Sequence, residues 1–445
     1  MVCGFSKEVF AMRKRLLAAL LSAVLLLTLV PTAFAASDLD GHWAKKYIDY
    51  LADEDVINPS ATTGKYQPDA KVTRAEFMRY INRAFHFTET ASISYTDVPW
   101  YYETVCIAQK YGYINGVGSG KMDPTGTVTR EQAATIIGRL YKADPGNVSP
   151  SSLDFKDKAK ISSWSAGYIR AAVDKGFLAG YSDGTFQPTR EVTRGEVAKI
   201  IYYYLGTSLS RAGKAYTGAD LRGDTTNVTI SESCTLSDAT IEGDLFITEG
   251  LGTDAVALSN VTVEGMIIIS GGTVTMTNTT SDHIIVSSSM GRLLQTTATG
   301  ASRFSEAEVR TAAVLYEKVL TDGYDGFENV TVCGGNKVSL TVDADLLKLT
   351  VNAPATVTTT AAAKVYHLRA NRAATVTGYG SVYQADVRTD GVSFTKDIAL
   401  GGYTLASGVS VSVAGENRTA SSTAAVSPSS VILDLGDEES LADGV

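Results

Sequence analysis

Apolar positions in the first half of the chain recur at helical spacing in three separate segments. Counted from each of the three tryptophans, apolar residues stand five, eight, thirteen and fourteen positions further on; counted from each of three arginines, they stand three, seven and ten positions on. Spacings of three to four residues mark the buried face of a short helix. The pattern therefore predicts three copies of a helix–loop–helix unit of about 55 to 60 residues, each too small to bury a sufficient core alone.

The second helix of each unit begins with the same phrase, in which threonine and arginine precede a glutamate or glutamine. Threonine followed three positions later by Glu or Gln is a capping box, which satisfies backbone donors at the start of a helix. A proline stands six residues before each arginine. The three phrases are Val72–Glu76, Val128–Gln132 and Val192–Glu196.

Capping does not explain the arginines, which are Arg74, Arg130 and Arg194. Each is expected at the first helical position, where the helix dipole makes a cation unfavourable by about 0.3–1 kcal/mol. An anionic ligand that meets the guanidinium group and the free backbone donors of the helix start would explain the repetition. A salt bridge to a neighbouring unit is the alternative.

Each unit also carries a tryptophan at the head of its first helix and an aspartate upstream of it. A buried tryptophan in this position belongs to the core, whereas a partly exposed one offers a stacking surface for sugar rings. The aspartates could accept hydrogen bonds from sugar hydroxyls, or they could cap helices and turns. The residues concerned are Trp43, Trp100 and Trp164, and Asp38, Asp97 and Asp157.

After residue 206 the composition shifts to Thr, Ser, Val, Ala and Gly, with short β-rich runs between turns. Ala239–Gly243 recurs 22 residues later as Val261–Gly265, and the series Leu347, Asn352, Val357 recurs 19 residues later. Consecutive repeats of this kind favour the rungs of a β-solenoid, here a right-handed parallel β-helix-like region over 207–418. A β-sandwich is the alternative.

Three local features of this half carry predictions of their own. Ser305 and Glu308 form a further capping box, and the run to Leu320 is helix-like, so a helical insertion is predicted near 305–320. The Ser/Ala-rich and then acidic segment 419–445 predicts a flexible tail. The three Asn-Val-Thr tripeptides are interpreted as turn asparagines; they begin at Asn227, Asn260 and Asn329.

The N-terminus predicts export. Arg13, Lys14 and Arg15 precede an apolar run from Leu16 to Val30, and small residues end the segment at Ala33-Phe34-Ala35. This is typical of a secretory signal peptide over 1–35, and an uncleaved N-terminal anchor is the alternative. No membrane association is expected after cleavage.

Charge and cysteine usage narrow the function classes further. The net charge of -9 and the pI of about 5.1 argue against nucleic acid as a partner. Cys106, Cys234 and Cys333 are too scattered for a disulfide framework or a metal motif, so they are interpreted as small core residues.

Catalytic chemistry has little support in the sequence. No two histidines stand at a metal-ligand spacing, and no nucleophile elbow occurs. The one candidate is Asp343 with Asp345, which would point to the same face of one strand. We therefore expect no enzyme activity, no catalytic residue, no metal and no cofactor.

Residues 37 to about 206 resemble three tandem S-layer homology modules, here module 1 (37–90), module 2 (94–145) and module 3 (153–206). The resemblance rests on Asp38–Ala44, on Gly180–Pro188 and on the three Thr-Arg phrases. It implies an all-α, pseudo-threefold trimer of modules ahead of the all-β half, which makes an α+β multidomain chain. Module 3 is closest to the family's pattern, because modules 1 and 2 lack its Gly-Tyr-x-Asp-Gly turn.

The resemblance also implies a function, which is non-covalent anchoring of an exported protein to the cell wall and surface of a Gram-positive-type bacterium. The implied partner is an anionic secondary cell-wall polysaccharide, often carrying pyruvate ketals, bound in grooves between modules. Several weak grooves would gain from effective concentration. Carried over by position, the implied ligand-binding residues are Arg74, Arg130, Arg194, Trp43, Trp100, Trp164, Asp38, Asp97 and Asp157.

The role of the β-rich half is open at this point. It is expected to form a structural or adhesive outer region, with self-association in a surface layer as a further expectation. The alternative is an anchored polysaccharide-degrading enzyme with a β-helix catalytic domain.

Overall fold

The structure is a computed structural model that describes residues 38–98, 102–323 and 325–419. The predicted signal peptide and the segment 420–445 therefore lie outside the described residues. Within them, two α-helices come from each module, and their ranges are α1 (Lys45–Asp53), α2 (Arg74–Ala84), α3 (Tyr102–Lys110), α4 (Arg130–Leu140), α5 (Ala166–Asp174) and α6 (Arg194–Leu205).

The predicted capping boxes are confirmed at the start of α2, α4 and α6. In α2, the Thr73 hydroxyl accepts from the backbone N–H of Glu76, and the Glu76 carboxylate accepts from the backbone N–H of Thr73 at 3.0 Å. Gly112 and Gly176 follow the ends of α3 and α5 in the left-handed conformation, with φ of 68° and 72°. These helix boundaries were predicted because their signals are local in sequence.

The modules interlock rather than fold one by one. Helix α2 of module 1 packs against α3 of module 2, α4 of module 2 packs against α5 of module 3, and α6 of module 3 packs against α1 of module 1. Every such contact joins two modules, and the third closes the ring. This confirms the predicted pseudo-threefold helical region, because the helices of each unit pack chiefly against helices of the neighbouring units.

The second half is built from parallel strands that continue rung by rung. Their ranges are β1 (Thr207–Leu209), β2 (Lys214–Thr217), β3 (Val228–Ile230), β4 (Cys234–Ile241), β5 (Leu245–Ile247), β6 (Ala255–Ile269), β7 (Thr273–Thr277), β8 (Thr280–Val286), β9 (Leu294–Gly300), β10 (Arg303–Val309), β11 (Ala313–Leu320), β12 (Gly326–Val332), β13 (Val338–Asp343), β14 (Asp345–Val351), β15 (Ala355–Thr359), β16 (Lys364–Ala370), β17 (Ala374–Gly378), β18 (Ser381–Val387), β19 (Val392–Phe394), β20 (Ala399–Leu405), β21 (Ser410–Val413) and β22 (Glu416–Thr419).

Two ladders of strands run along the solenoid, one through the even-numbered strands β8 to β20 and one through the odd-numbered strands β7 to β21. Their pairings are parallel, and the final hairpin of β21 with β22 is antiparallel. The sequence repeats match the register: Ala239 pairs with Val261, and Val357 pairs with Val376. The β-solenoid prediction is confirmed, and the β-sandwich alternative is wrong.

The solenoid core is a stack of apolar side chains in equivalent positions on successive rungs. Val330, Leu349, Leu368 and Ala385 follow one another along one ladder, and each is at most 1% exposed. Apolar layers of this kind require each new rung to keep the register of the one below. This explains why the repeat spacing was visible in the sequence.

The predicted helical insertion near 305–320 is wrong. Residues 305–309 lie in β10 and residues 313–320 lie in β11, and Phe304 packs inside the solenoid against Phe327 of the next rung, with ring centroids 5.4 Å apart. Strand pairing on both sides outweighs the local helix signal.

The asparagine interpretation holds at one of its three sites. Asn260 lies within β6, but it has the left-handed conformation of a turn asparagine, with φ of 56°. Asn329 lies within β12 without a positive φ, and its amide donates to the Ser305 carbonyl of the preceding rung. Asn227 is buried directly before β3 and donates to the carbonyl of Tyr203 at 3.1 Å.

The helical region and the solenoid share a packed junction. Phe246 on the outer side of the solenoid stacks on Tyr204 of α6, with ring centroids 4.6 Å apart. Ile268 and Ile285 of the next two rungs join the same apolar cluster. At Gly206, which links the two parts, an added Cβ would meet the Asn227 carbonyl at 1.8 Å, so only glycine fits there.

Candidate functional site

Arg74 and Arg130 are buried residues, with 4% and 6% exposure. Arg74 donates from Nε to the carbonyl of Met122 at 2.8 Å and from Nη2 to the carbonyl of Asn115 at 2.7 Å. Both acceptors belong to module 2, whereas Arg74 belongs to module 1. Burial lowers the pKa of Arg74, since water is withdrawn from the cation.

Arg130 repeats this arrangement one module further on. Its Nε donates to the carbonyl of Phe186 at 2.9 Å, and its Nη2 donates to the carbonyl of Ala179 at 2.8 Å, both in module 3. Its guanidinium carbon lies 4.5 Å from the ring centroid of Tyr181. Burial lowers the pKa of Arg130 as well.

Arg194 of module 3 contacts module 1 and so completes the ring, but its closest acceptors are side chains. Its Nη1 donates to Oε1 of Gln67 at 2.8 Å, and its Nη2 forms an ion pair with Glu76. Each of the three arginines therefore links the second helix of its own module to the next module. The alternative of a salt bridge to a neighbouring unit is confirmed for Arg194, and carbonyl groups take that place for the other two.

The backbone donors at the helix starts are not free. The N–H of Arg74 donates to the Gly126 carbonyl at 2.8 Å, and the N–H of Ala75 donates to the Pro124 carbonyl at 2.9 Å. The other two helices receive the same caps from Pro188 and Pro68. The expectation that these donors assist an anion is wrong, because the N–H groups are bonded to carbonyls of the next module.

The three aspartates perform one structural task. Each carboxylate accepts two consecutive backbone N–H groups in the loop before the proline of its own module. These bonds join Asp38 to Tyr66 and Gln67, Asp97 to Met122 and Asp123, and Asp157 to Phe186 and Gln187, at 2.6–3.1 Å. The N–H groups of Met122 and Asp123 lower the pKa of Asp97, and the bond from Met122 has the larger effect. The aspartates thus set the loop that presents its carbonyls to the arginine.

The tryptophans that the structure describes are half-exposed rather than buried. Trp43 and Trp164 are each 52% exposed, while Trp100 lies outside the described residues. An indole with this exposure offers an apolar face to solvent, as sugar-binding surfaces do.

One groove brings an arginine and a tryptophan together. It encloses about 330 Å³ and is lined by Arg74 of module 1, by 114–117 and α4 of module 2, and by Trp164 of module 3. Arg139, from the last turn of α4, also lines it. Nη1 of Arg74 has no hydrogen-bond partner among the described residues. We call this groove 1; it combines cations with an exposed aromatic face, the chemistry that an acidic sugar requires.

Arg139 and Gln132 were not identified as groove residues from the sequence. The spacing of Gln132 from Thr129 indicates only a cap, and Arg139 has no counterpart in module 3, where Tyr203 stands at its position. The signal that could have found Arg139 is its place nine residues after Arg130, on the same helix face as Thr135 and Gln132.

Asp343 and Asp345 do not share a strand face as expected. Asp343 ends β13 and Asp345 begins β14, with the chain turning between them. Asp343 accepts from the Thr360 hydroxyl, and Asp345 forms an ion pair with Lys364 at 2.7 Å. Both line a solenoid groove of about 440 Å³ together with Glu317, a residue that sequence reasoning missed. Burial raises the pKa of Glu317 to about 7.

Within residues 38–98, 102–323 and 325–419, no group of three or more His, Cys, Asp or Glu side chains is arranged to hold a metal ion. In the same residues, no helix combines the length and apolar character that a bilayer span requires. The three cysteines named above are free thiols.

Comparison with known proteins identifies the helical repeat. The family model of the S-layer homology domain matches residues 37–78, 95–134 and 154–198. An amylopullulanase of Thermoanaerobacterium thermosulfurigenes is 32% identical over 180 residues, covering 39% of this chain and 10% of that protein. A cellulosome-anchoring protein of Acetivibrio thermocellus is 34% identical over 111 residues, covering 25% and 24%.

A third relative, the surface-layer 125 kDa protein of Lysinibacillus sphaericus, is 26% identical over 199 residues, covering 42% of this chain and 16% of the relative. This chain therefore spans less than a quarter of the length of each of these relatives. The chain carries three S-layer homology domains, which are followed by a parallel β-solenoid of about 11 turns.

Proposed function

We propose that this protein is held at the bacterial cell surface by its S-layer homology domains, which bind an acidic wall polysaccharide, of which a pyruvylated one is the best candidate. Groove 1 carries the proposal, because it places Arg74 and Arg139 beside the exposed indole of Trp164. A carboxylate on a sugar ring pairs with the guanidinium groups while the apolar face of the ring packs on the indole.

The names of the relatives support an anchoring role. One is a cellulosome-anchoring protein and another is a surface-layer protein, although they share only part of this chain. The solenoid then forms the outer, structural or adhesive part of the molecule. Its packed junction with the helical ring holds it in a fixed position relative to the wall.

Co-sedimentation with purified wall sacculi tests the proposal. The chain without residues 1–35 should pellet with native sacculi and should stay in solution with sacculi stripped of their secondary polysaccharide. The variant Trp164→Ala should bind at least tenfold more weakly, because it removes the stacking face. The control Tyr379→Ala, at a 72% exposed site on the solenoid, should bind normally. Equal binding to stripped sacculi contradicts the proposal.

We propose further that the solenoid is not catalytic. Two of the carboxylates in its groove are already paired, Asp343 with the Thr360 hydroxyl and Asp345 with Lys364. Some relatives are named as polysaccharide-degrading enzymes, but their alignments cover at most 39% of this chain. Incubation with wall polysaccharide should release no reducing ends, and release that is lost in Glu317→Gln would establish the enzyme instead.

A further inference from the structure

We propose that only one of the three pseudo-equivalent grooves binds the acidic glycan, namely groove 1, and that Gln132 and Val117 select it. This inference rests on the proposed function and deepens it. The sequence repeat suggests three similar grooves, and module 3 is nearest to the family's pattern. The side-chain contacts around the three arginines differ, however, and these contacts decide where an anion can enter.

The groove around Arg130, here groove 2, is filled by the protein's own side chains. Tyr181 stands thirteen residues before the arginine of module 3, where module 2 has Val117. Its ring lies against the Arg130 guanidinium, 4.5 Å away, and its hydroxyl donates to Glu196 at 3.3 Å. Arg190 pairs with the same Glu196 carboxylate. The cation therefore already faces an aromatic ring and an acid.

In the groove around Arg194, here groove 3, the positive charge of the arginine is neutralised by a direct ion pair. Nη2 of Arg194 pairs with the carboxylate of Glu76, and Nη1 donates to the amide of Gln67. Glu76 is the third helical residue of α2 and also forms the capping box with Thr73. An acidic sugar would have to displace this carboxylate, which is held in place by its own helix.

Groove 1 differs at both positions. Gln132 replaces the glutamate and still accepts from the N–H of Thr129 at 3.1 Å, so the cap is kept without the charge. Val117 replaces the tyrosine and forms no side-chain hydrogen bond across the groove. Among the described residues, neither Arg74 nor Arg139 is within ion-pair distance of a carboxylate.

Two acids act on Arg74 from further away. Asp123 and Asp97 raise its pKa through space, against the larger effect of burial. The Asp97 carboxylate is already committed to the backbone N–H groups of Met122 and Asp123, at 3.0 and 2.8 Å. Groove 1 thus retains an unpaired positive charge beside an exposed indole, which is what a sugar carboxylate recognises.

Isothermal titration calorimetry of the chain without residues 1–35 tests this selection. The probe is a monovalent one, the 4,6-pyruvate ketal of a methyl hexoside. We expect one site per chain. Gln132→Glu keeps the capping box but installs the carboxylate that modules 1 and 3 already carry, and it should weaken binding at least tenfold. The matched control Glu196→Gln makes the reverse exchange in groove 2 and should change affinity less than twofold.

Two or three sites per chain, or wild-type affinity in Gln132→Glu, would overturn the selection of groove 1. Circular dichroism of Gln132→Glu should match that of the wild type, since its cap has the same form as in the other modules. Sedimentation with native sacculi separates this inference from the proposed function. If the wild-type chain pellets with sacculi but calorimetry gives one of these overturning results, the anchoring function is supported and only the assignment to groove 1 is wrong.

Discussion

Nζ of Lys142 lies 2.9 Å from Oε1 of Glu249, and this ion pair joins the end of module 2 to the solenoid. Only 3% of the Glu249 side chain and 14% of the Lys142 side chain is exposed. The carboxylate also accepts from the backbone N–H of Ser289, and Lys142 donates to the Ser289 hydroxyl at 2.6 Å. The wall-binding ring and the solenoid are therefore coupled by a buried charge pair as well as by the Tyr204–Phe246 stack.

Breaking this pair from one side should destabilise the junction strongly. Lys142→Ala leaves Glu249 as an uncompensated buried charge, so we expect a loss of about 3–5 kcal/mol in the free energy of unfolding, by urea titration. The double variant Lys142→Met/Glu249→Leu should recover most of the loss. Lys121→Ala, an exposed lysine of module 2, is the control. A loss below about 1 kcal/mol in Lys142→Ala would show that the junction does not depend on the pair.

A second prediction concerns the arginine ties that close the helical ring. Arg130→Ala leaves the carbonyls of Phe186 and Ala179 without their charged donor, and we expect a loss of about 2–4 kcal/mol for the two bonds. Arg130→Lys should recover only part of it, because an ammonium group does not match the fork geometry of guanidinium. Thermal unfolding measures both variants.

Arg79→Ala is the control for the arginine ties, since Arg79 is exposed on α2. If Arg130→Ala were as stable as this control, the buried guanidinium would have no structural role. The recurrence of an arginine at this position in all three modules would then have to be explained by a ligand alone.

The parts of this fold that could be predicted from sequence are those whose signals are local or strictly periodic. The capping boxes lie within four residues, and the solenoid repeats follow the strand register, as Ala239 and Val261 show. The aspartate and arginine contacts could not be predicted, because their hydrogen-bond partners lie far along the chain. Arg74, for example, reaches Met122, 48 residues away, and no pattern near either residue indicates the pairing.

The helix prediction for 305–320 is wrong for the opposite reason. Its local signal is clear, since Ser305 and Glu308 have the spacing of a capping box. The neighbouring rungs nevertheless hold Phe304 and Ala307 in the interior of the solenoid. Tertiary pairing on both sides of a strand outweighs a few tenths of a kcal/mol per residue in helix propensity.

A third prediction concerns the left-handed asparagine ladder at one corner of the solenoid. Asn278 has φ of 50°, donates to Oδ1 of Asn260 at 2.9 Å and accepts from the N–H of Ala301 at 2.8 Å. Asn278→Ala should lose these bonds and strain the backbone, at a cost of about 2–4 kcal/mol. Asn278→Gly loses the bonds without the strain and should be about 1 kcal/mol more stable than Asn278→Ala in urea titration. Equal stability of the two variants would contradict a strained turn.

The fourth prediction concerns Glu317, whose carboxylate accepts from the backbone N–H groups of Phe327 and Asp345, both at 2.7 Å. Its pKa is raised from 4.5 to about 7, mainly by burial and to a smaller extent by the charges of Asp345 and Asp325, while the two N–H groups act in the opposite direction. Between pH 4.5 and pH 7 the folded protein holds a proton at this site that the unfolded chain has lost. The contribution of Glu317 to stability must therefore fall as the pH rises through this range and level off above it.

The difference in unfolding free energy between the wild type and Glu317→Gln isolates this contribution, because glutamine does not titrate. As the pH rises from 4.5 to 7, we expect the wild type to lose up to about 3 kcal/mol of unfolding free energy relative to Glu317→Gln. Above pH 8 the difference between the two proteins should stay constant. Glu306→Gln, at an exposed position of β10, is the matched control and should show no such slope. A difference that is independent of pH would mean that Glu317 is ionised throughout, with the two backbone N–H groups compensating for its burial.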